Sequence, residues 1–124
     1  MTVHITQLLH AVLLVQDLEK ARHFYGEVLG LIECHRPLDF PGAWYQIGNQ
    51  QLHLIVATDA RVDQIASERW GRNRHLAFAV TDLKECQQHL QMAGCTYQLS
   101  RSGRSALFVC DSDGNLIELS QVHG

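Results

Sequence analysis

Four side chains able to bind a metal ion fall at matched places in this sequence. His10 opens a short apolar run, Ala11-Val12-Leu13-Leu14-Val15, that closes at Asp17-Leu18. His75 opens a second run, Leu76-Ala77-Phe78-Ala79-Val80, that closes at Asp82-Leu83, 65 residues later in the chain. The same offset of 65 relates His53, in Gln51-Leu52-His53-Leu54-Ile55, to Glu118, in Leu116-Ile117-Glu118-Leu119-Ser120. Side chains alternate across a strand, so His75, Ala77 and Ala79 share one face, and the small residues leave room beside the imidazole. Glu118 points away from its aliphatic neighbours; a carboxylate there is costly to bury unless a cation, hydrogen bonds or solvent satisfy it. A single strand His is more often a hydrogen-bonded structural residue than a ligand. Two matched pairs change that balance, because symmetric packing of two copies would bring all four groups together. Imidazoles with one carboxylate suit Zn, Ni, Fe, Co or Mn.

The elements that would position these residues repeat as well. Residues 8–16 read as a buried strand. Asp17 reads as a helix N-cap, followed by Leu18, Ala21, Phe24, Tyr25, Val28 and Leu29 at helical spacing and by Gly30 as the stop. Strands follow at Leu31 to Arg36, Ala43 to Ile47 and Gln51 to Val56, with Gly48-Asn49 as a tight turn. Module one is thus β-α-β-β-β over about 7–57. Residues 58–73 read as a polar linker carrying a short helix on Val62, Ile65, Ala66 and Trp70. Module two, about 74–122, repeats the order: a strand at Arg74 to Val80, a helix capped by Asp82 with Leu83, Cys86, Leu90 and Ala93 on its apolar face, then strands at Thr96 to Ser100, Ala106 to Cys110 and Leu116 to Val122. Asp111-Ser112-Asp113-Gly114-Asn115 supplies the last hairpin turn. The fold class is α+β, one domain of residues 1–124 made of two tandem βαβββ modules, and duplication of this kind implies a pseudo-two-fold arrangement.

Composition narrows the function classes. The chain has 124 residues, a net charge of −3 and 46% hydrophobic residues, ordinary values for a globular protein with a real core. Without a basic run, nucleic-acid binding is disfavoured. The longest apolar stretch, Leu8 to Val15, is too short to span a bilayer, and no signal-peptide pattern surrounds it. Cys34, Cys86, Cys95 and Cys110 form no C-x-x-C pair and read as reduced thiols of a cytoplasmic protein.

Together these residues resemble the vicinal oxygen chelate superfamily, which holds glyoxalase I, fosfomycin-resistance thiol transferases, extradiol dioxygenases and bleomycin-resistance proteins. The carriers are His10-Ala11-Val12 with Asp17-Leu18, Phe24-Tyr25 and Leu29-Gly30-Leu31; His75-Leu76-Ala77-Phe78 with Asp82-Leu83; and Asp111 through Leu119. The resemblance spans Leu8 to Gln121 and points to a glyoxalase-like subgroup. It implies paired βαβββ units forming an open, barrel-like sheet around a divalent metal held by His10, His53, His75 and Glu118. It also implies a homodimer. His53 stands where glyoxalase I typically has Glu.

The resulting expectation is a metal-dependent enzyme acting on a small oxygenated substrate, with lyase or isomerase chemistry first and Glu118 as ligand and general base. An extradiol-type dioxygenase is second, since His10, His75 and Glu118 alone make a two-His-one-carboxylate set, and a thiol transferase third. A metal-free, ligand-sequestering protein of the drug-resistance kind is the rival from another class. Arg36, Arg101 and Arg104 are candidate anchors for a substrate anion, against the plainer reading of solvated strand-end cations. Trp44 and Phe108 are candidate pocket walls, as is Tyr45, against core packing. His4, His23, His35, His89 and His123 have no match in the repeat and read as surface or structural.

Overall fold

The computed structural model describes residues 2–61 and 66–122. The chain divides into two compact units, Met1–Asp59 and Ala60–Gly124, and each carries one βαβββ module. In the first, strand β1 (His10–Val15) leads to helix α1 (Leu18–Arg22), then to β2 (Ile32–Cys34), β3 (Gly42–Ile47) and β4 (Gln50–Val56). In the second, β5 (His75–Val80) leads to α2 (Leu83–Met92), β6 (Tyr97–Leu99), β7 (Ala106–Cys110) and β8 (Leu116–Gln121). Each module forms an open four-stranded mixed sheet, ordered β1-β4-β3-β2 and β5-β8-β7-β6. The first strand runs parallel to the last in both, as a helical crossover requires.

The Asp residues after β1 and β5 set the helix starts. Asp17 accepts a hydrogen bond from the Lys20 amide at 3.2 Å, and Asp82 does the same for Glu85 at 3.2 Å. Each thereby satisfies one of the amides that a helix start leaves unpaired. Gly30 and Gly94 follow the two helical segments with φ of 76° and 75°, the left-handed conformation glycine adopts without strain. Helix α1 departs from the regular helix its spacing predicts. It widens into a π-helical stretch, His23–Val28, where the Leu29 amide donates to the Phe24 carbonyl at 2.8 Å. The consecutive Phe24 and Tyr25 are both buried there, edge to face at 4.9 Å.

The core of the first module lies between α1 and one face of its sheet. Leu52 and Leu54 of β4, Ala43 and Tyr45 of β3 and Val15 of β1 meet Ala21 and Tyr25, all at most 1% exposed. Burial, with Glu33 nearby, pushes the Tyr45 phenol up to about 12. In the second module Leu107, Val109 and Ile117 are fully buried and Leu90 of α2 nearly so. Leu83 and Cys86 of the expected apolar face are half-buried, but Ala93 is exposed, because the helix closes on it. Strands β2 and β6 are shorter than the sequence pattern predicts. Beyond β2 the chain turns so that the Arg36 guanidinium donates to the carbonyls of Leu38 and Phe40. Val62 and Ile65 of the expected linker helix lie outside the described residues. Residues 70–72 form a 3-10 turn within the second unit. Among the described residues the four cysteines form no disulfide, and no helix is long and apolar enough to cross a membrane.

Gly42 marks the tightest approach in the first module. A Cβ there would sit 2.4 Å from the Leu54 carbonyl oxygen and 2.9 Å from Arg36 Nη2. Because the first of these is backbone, Gly42→Ala must move β3 away from β4. It is expected to destabilise the protein by about 1–3 kcal/mol, measured by denaturant unfolding; an unchanged midpoint would contradict this packing.

Candidate functional site

The register carries the sequence repeat into space within each module. Val12 lies opposite His53 across β1 and β4, and Ala77 lies opposite Glu118 across β5 and β8. On the other side, His53 faces Trp44 and Glu118 faces Phe108. Phe108 is therefore the counterpart of Trp44, one residue short of the fixed offset.

In the first module three rings stack on the sheet face opposite α1. His10 lies 4.1 Å from His53 with 14° between planes, and Trp44 covers the other side of His53 at 4.1 Å and 6°. His53 is buried, 8% exposed. Burial first, then His10 and Arg36, lower its pKa, which favours the neutral imidazole that a metal ligand needs. A chain of amides fixes its tautomer. Gln46 Nε2 donates to the carbonyls of Gly48 and Gln50. Its Oε1 therefore accepts from Gln51 Nε2 at 2.8 Å, and Gln51 Oε1 accepts from His53 Nε2 at 2.8 Å. The His53 lone pair is then on Nδ1, and a cation bound through Nε2 would have to displace Gln51. Arg36 stacks its guanidinium over Phe40 at 4.4 Å.

In the second module His75 and Glu118 meet directly. His75 Nε2 lies 3.1 Å from Glu118 Oε1. His75 Nδ1 lies 2.7 Å from the Asn73 carbonyl, which can only accept, so Nδ1 carries the hydrogen. In a neutral ring Nε2 then presents its lone pair to a carboxylate oxygen, and two electron-pair donors face each other. A proton or a metal cation is needed between them. A metal-ligating His has its other ring nitrogen tied to a carbonyl or carboxylate in this way, so the donor chemistry of the pair is compatible with a divalent cation as well as with a proton.

Glu118 is 4% exposed. Its Oε2 accepts from the Ser120 hydroxyl and from Arg104 Nη1 at 3.4 Å. Burial pushes the carboxyl up, but the Ser120 hydroxyl, Arg104 and His75 outweigh it and hold Glu118 below the usual carboxylate range. Phe108 stands edge-on to the His75 ring at 5.4 Å. These side chains border a cavity of about 250 Å³ whose wall includes Arg69, Arg72, Gln98, Arg101 and Arg104.

The residues singled out from the sequence thus separate by module. His10, His53, Trp44 and Arg36 belong to the first; His75, Glu118, Arg101, Arg104 and Phe108 belong to the second and surround one cavity. Among the described residues no three His, Cys, Asp or Glu side chains are gathered together.

The family model that matches is the glyoxalase/bleomycin resistance protein/dioxygenase superfamily, over residues 7–119. The chain belongs to this superfamily. Members and neighbours it is similar to include the mitochondrial methylmalonyl-CoA epimerase of Bos taurus, 28% identical over 130 residues, covering 91% of this chain and 73% of that one. A glyoxalase family protein from Bacillus anthracis superimposes with a TM-score of 0.82 at 27% identity, covering 99% of this chain and 100% of that one. A fosfomycin resistance protein from Listeria monocytogenes, complexed with Mn(II) and a dihydroxypropylphosphonic acid, has the same fold with a TM-score of 0.78 at 17% identity, covering 97% and 95%.

Sequence reasoning missed the residues that hold His53, His75 and Glu118 in place. Gln51, Asn73 and Ser120 each stand two residues from His53, His75 and Glu118, the spacing of one strand face. That spacing was the available signal. Arg69 and Arg72 gave none, since they are polar residues of the expected linker, off the spacing of Val62, Ile65, Ala66 and Trp70.

The state of Glu118 links stability to pH. Its folded pKa lies below the unfolded value of about 4.3, so its contribution is present above that value and lost as pH falls through the folded pKa. Ser120→Ala removes a bond to the charged form and is expected to cost about 1 kcal/mol at neutral pH. The gap from the parent protein should close as pH falls through the lowered folded pKa of Glu118. Thermal unfolding across pH, with chelator present, checks this; a gap independent of pH would contradict it.

Proposed function

We propose that the protein is a metal-dependent enzyme of the glyoxalase-like type, acting on a small oxygenated substrate by lyase or isomerase chemistry. The observation that carries the reading is the pair of facing electron-pair donors, His75 Nε2 and Glu118 Oε1, with the His75 tautomer set by Asn73. His75 and Glu118 would hold the cation, and His10 and His53 are the further imidazole ligands of the proposed set. A divalent cation bound there would draw neighbouring oxygens of the substrate to it and stabilise the negative charge that develops on them.

The chain's own groups supply the rest. Glu118 Oε2 is engaged by Ser120 and Arg104, which leaves Oε1 to hold the cation and, once released from it, to take a proton from the carbon beside the polarised oxygen. The depressed pKa keeps Glu118 ionised and ready to accept at neutral pH. Phe108 walls the His75 side of the cavity and limits water there. Similarity to an epimerase supports isomerase chemistry, because inverting a carbon centre requires removal and return of a proton. Homodimerisation belongs to the same proposal; exposed Leu8, Leu9 and Val12, each at least 43% exposed, support it as an apolar surface.

Glu118→Gln keeps the shape and removes the base. It is expected to lower turnover by about 10²–10⁴-fold while leaving the fold intact, and to abolish exchange of the substrate's acidic C–H proton with deuterated solvent. A screen of 2-oxoaldehyde–thiol adducts, 2-substituted acyl thioesters, catechols and epoxides supplies the substrate. A variant with full activity would rule out the role. Tight binding by the parent protein without turnover of any of these, and without metal, would favour the ligand-sequestering alternative.

A further inference from the structure

The cavity beside Glu118 carries more positive charge than its carboxylate can neutralise. Four guanidinium groups, those of Arg69, Arg72, Arg101 and Arg104, line it together with one acid, Glu118. Arg104 is the one that reaches Glu118. Among the described residues, none of the ion pairs includes Arg69, Arg72 or Arg101. Guanidinium groups that line one concavity repel one another, and an anion between them relieves that.

The backbone that bears Arg69 and Arg72 is also held in place. They flank the start and close of the 3-10 turn Trp70–Arg72, and the segment carrying them is fastened at three points. Gln98 accepts from the Trp70 amide at 2.9 Å and donates to the Glu68 carbonyl at 2.8 Å. Asn73 accepts from the Ala66 amide at 2.9 Å and donates to the carbonyls of Ala66 and Trp70. Gly71 lies against the Phe108 ring so closely that a Cβ would meet Cζ at 2.6 Å. The backbone that bears the two arginines is thus pressed onto the residue standing beside His75.

We propose that this cavity receives a phosphoryl group carried by the substrate, with Arg69 and Arg72 as its main contacts and Arg101 closing from the opposite loop. The proposal rests on the reading of His75 and Glu118 as the reacting end of the same cavity and adds the class of substrate. A carboxylate is planar and carries one charge; one guanidinium fork satisfies it and leaves the others uncompensated. A phosphoryl group carries close to two charges and three acceptor oxygens pointing in different directions. It can accept from guanidinium groups that approach from two separate loops, 66–73 and 100–104. Ser100 and Ser102, hydrogen-bonded to each other at 2.9 Å, leave one hydroxyl donor on the same wall. A volume of about 250 Å³ leaves space for a body of a few carbons between the arginines and Glu118.

The test is calorimetric titration of the full chain, freed of metal by chelator, with phenyl phosphate, benzoate and inorganic phosphate. Phenyl phosphate is expected to bind at least about tenfold more tightly than benzoate, which shares its ring, and more tightly than inorganic phosphate, with affinity falling as salt rises. Arg69→Gln and Arg72→Gln should each weaken phenyl phosphate by about three- to tenfold, with unchanged thermal unfolding. Arg61→Gln, outside the cavity wall, should change nothing. Equal binding of benzoate, an unaltered affinity in both arginine variants, or an equal loss in Arg61→Gln would overturn the proposal. Inorganic phosphate binding as tightly as the ester would overturn the assignment to a substrate-borne group. Metal content, measured alongside, keeps the two readings apart. Phosphate-ester binding in a protein that takes up no metal refutes only the enzyme reading. Metal uptake without phosphate-ester binding refutes only this one.

Discussion

The second module depends on a conflict between two electron-pair donors. The Asn73 carbonyl takes the Nδ1 hydrogen of His75, and the parallel register of β5 and β8 then holds Nε2 at 3.1 Å from Glu118 Oε1. Glu118 is 4% exposed, so water reaches the pair from the side of His75, whose side chain is 24% exposed. Folding therefore builds a place that a positive charge must fill. The Ser120 hydroxyl and Arg104 hold the far oxygen of the carboxylate, so the acid remains charged and its near oxygen stays directed at the imidazole.

The two modules use one scaffold for different chemistry. His53 with Trp44 and Glu118 with Phe108 occupy the same register positions. In the first module the facing rings are parallel and the imidazole is stacked, buried and bound to an uncharged amide chain. In the second the ring partner turns edge-on and the polar group is an acid with charged neighbours. The stacking holds its imidazole by dispersion and shape, whereas the acid is held by charge. A duplicated backbone sets where a side chain starts; the neighbours at two-residue spacing decide what it can do.

Much of this was legible before any coordinates. The strands, the Asp caps and the closing glycines follow from local rules that act within a few residues, so β1, β5 and both helix starts fall where the pattern puts them. The π-helical widening of His23–Val28 was not, because a bond from Leu29 to Phe24 leaves no compositional mark. The candidate ligands stood out by repetition. Their supports did not: Gln51, Asn73 and Ser120 are common polar residues whose meaning comes from the strand face they share. Arg69 and Arg72 were hidden for a different reason. What places them is the fit of Gly71 against Phe108, far along the chain, and the Gln98 amide that ties the segment down. Contacts of that sequence separation are invisible to a reading by period and spacing.

The measurement that bears most directly on the facing donors is nitrogen-15 NMR of the histidine side chains during titration of the untagged, metal-free protein with Zn²⁺. His75 Nε2 is expected to take up the cation while Nδ1 keeps its hydrogen, bonded to Asn73, and Glu118→Gln is expected to weaken the uptake. Binding of the cation through Nδ1, or no response of His75 to Zn²⁺ at all, would contradict it.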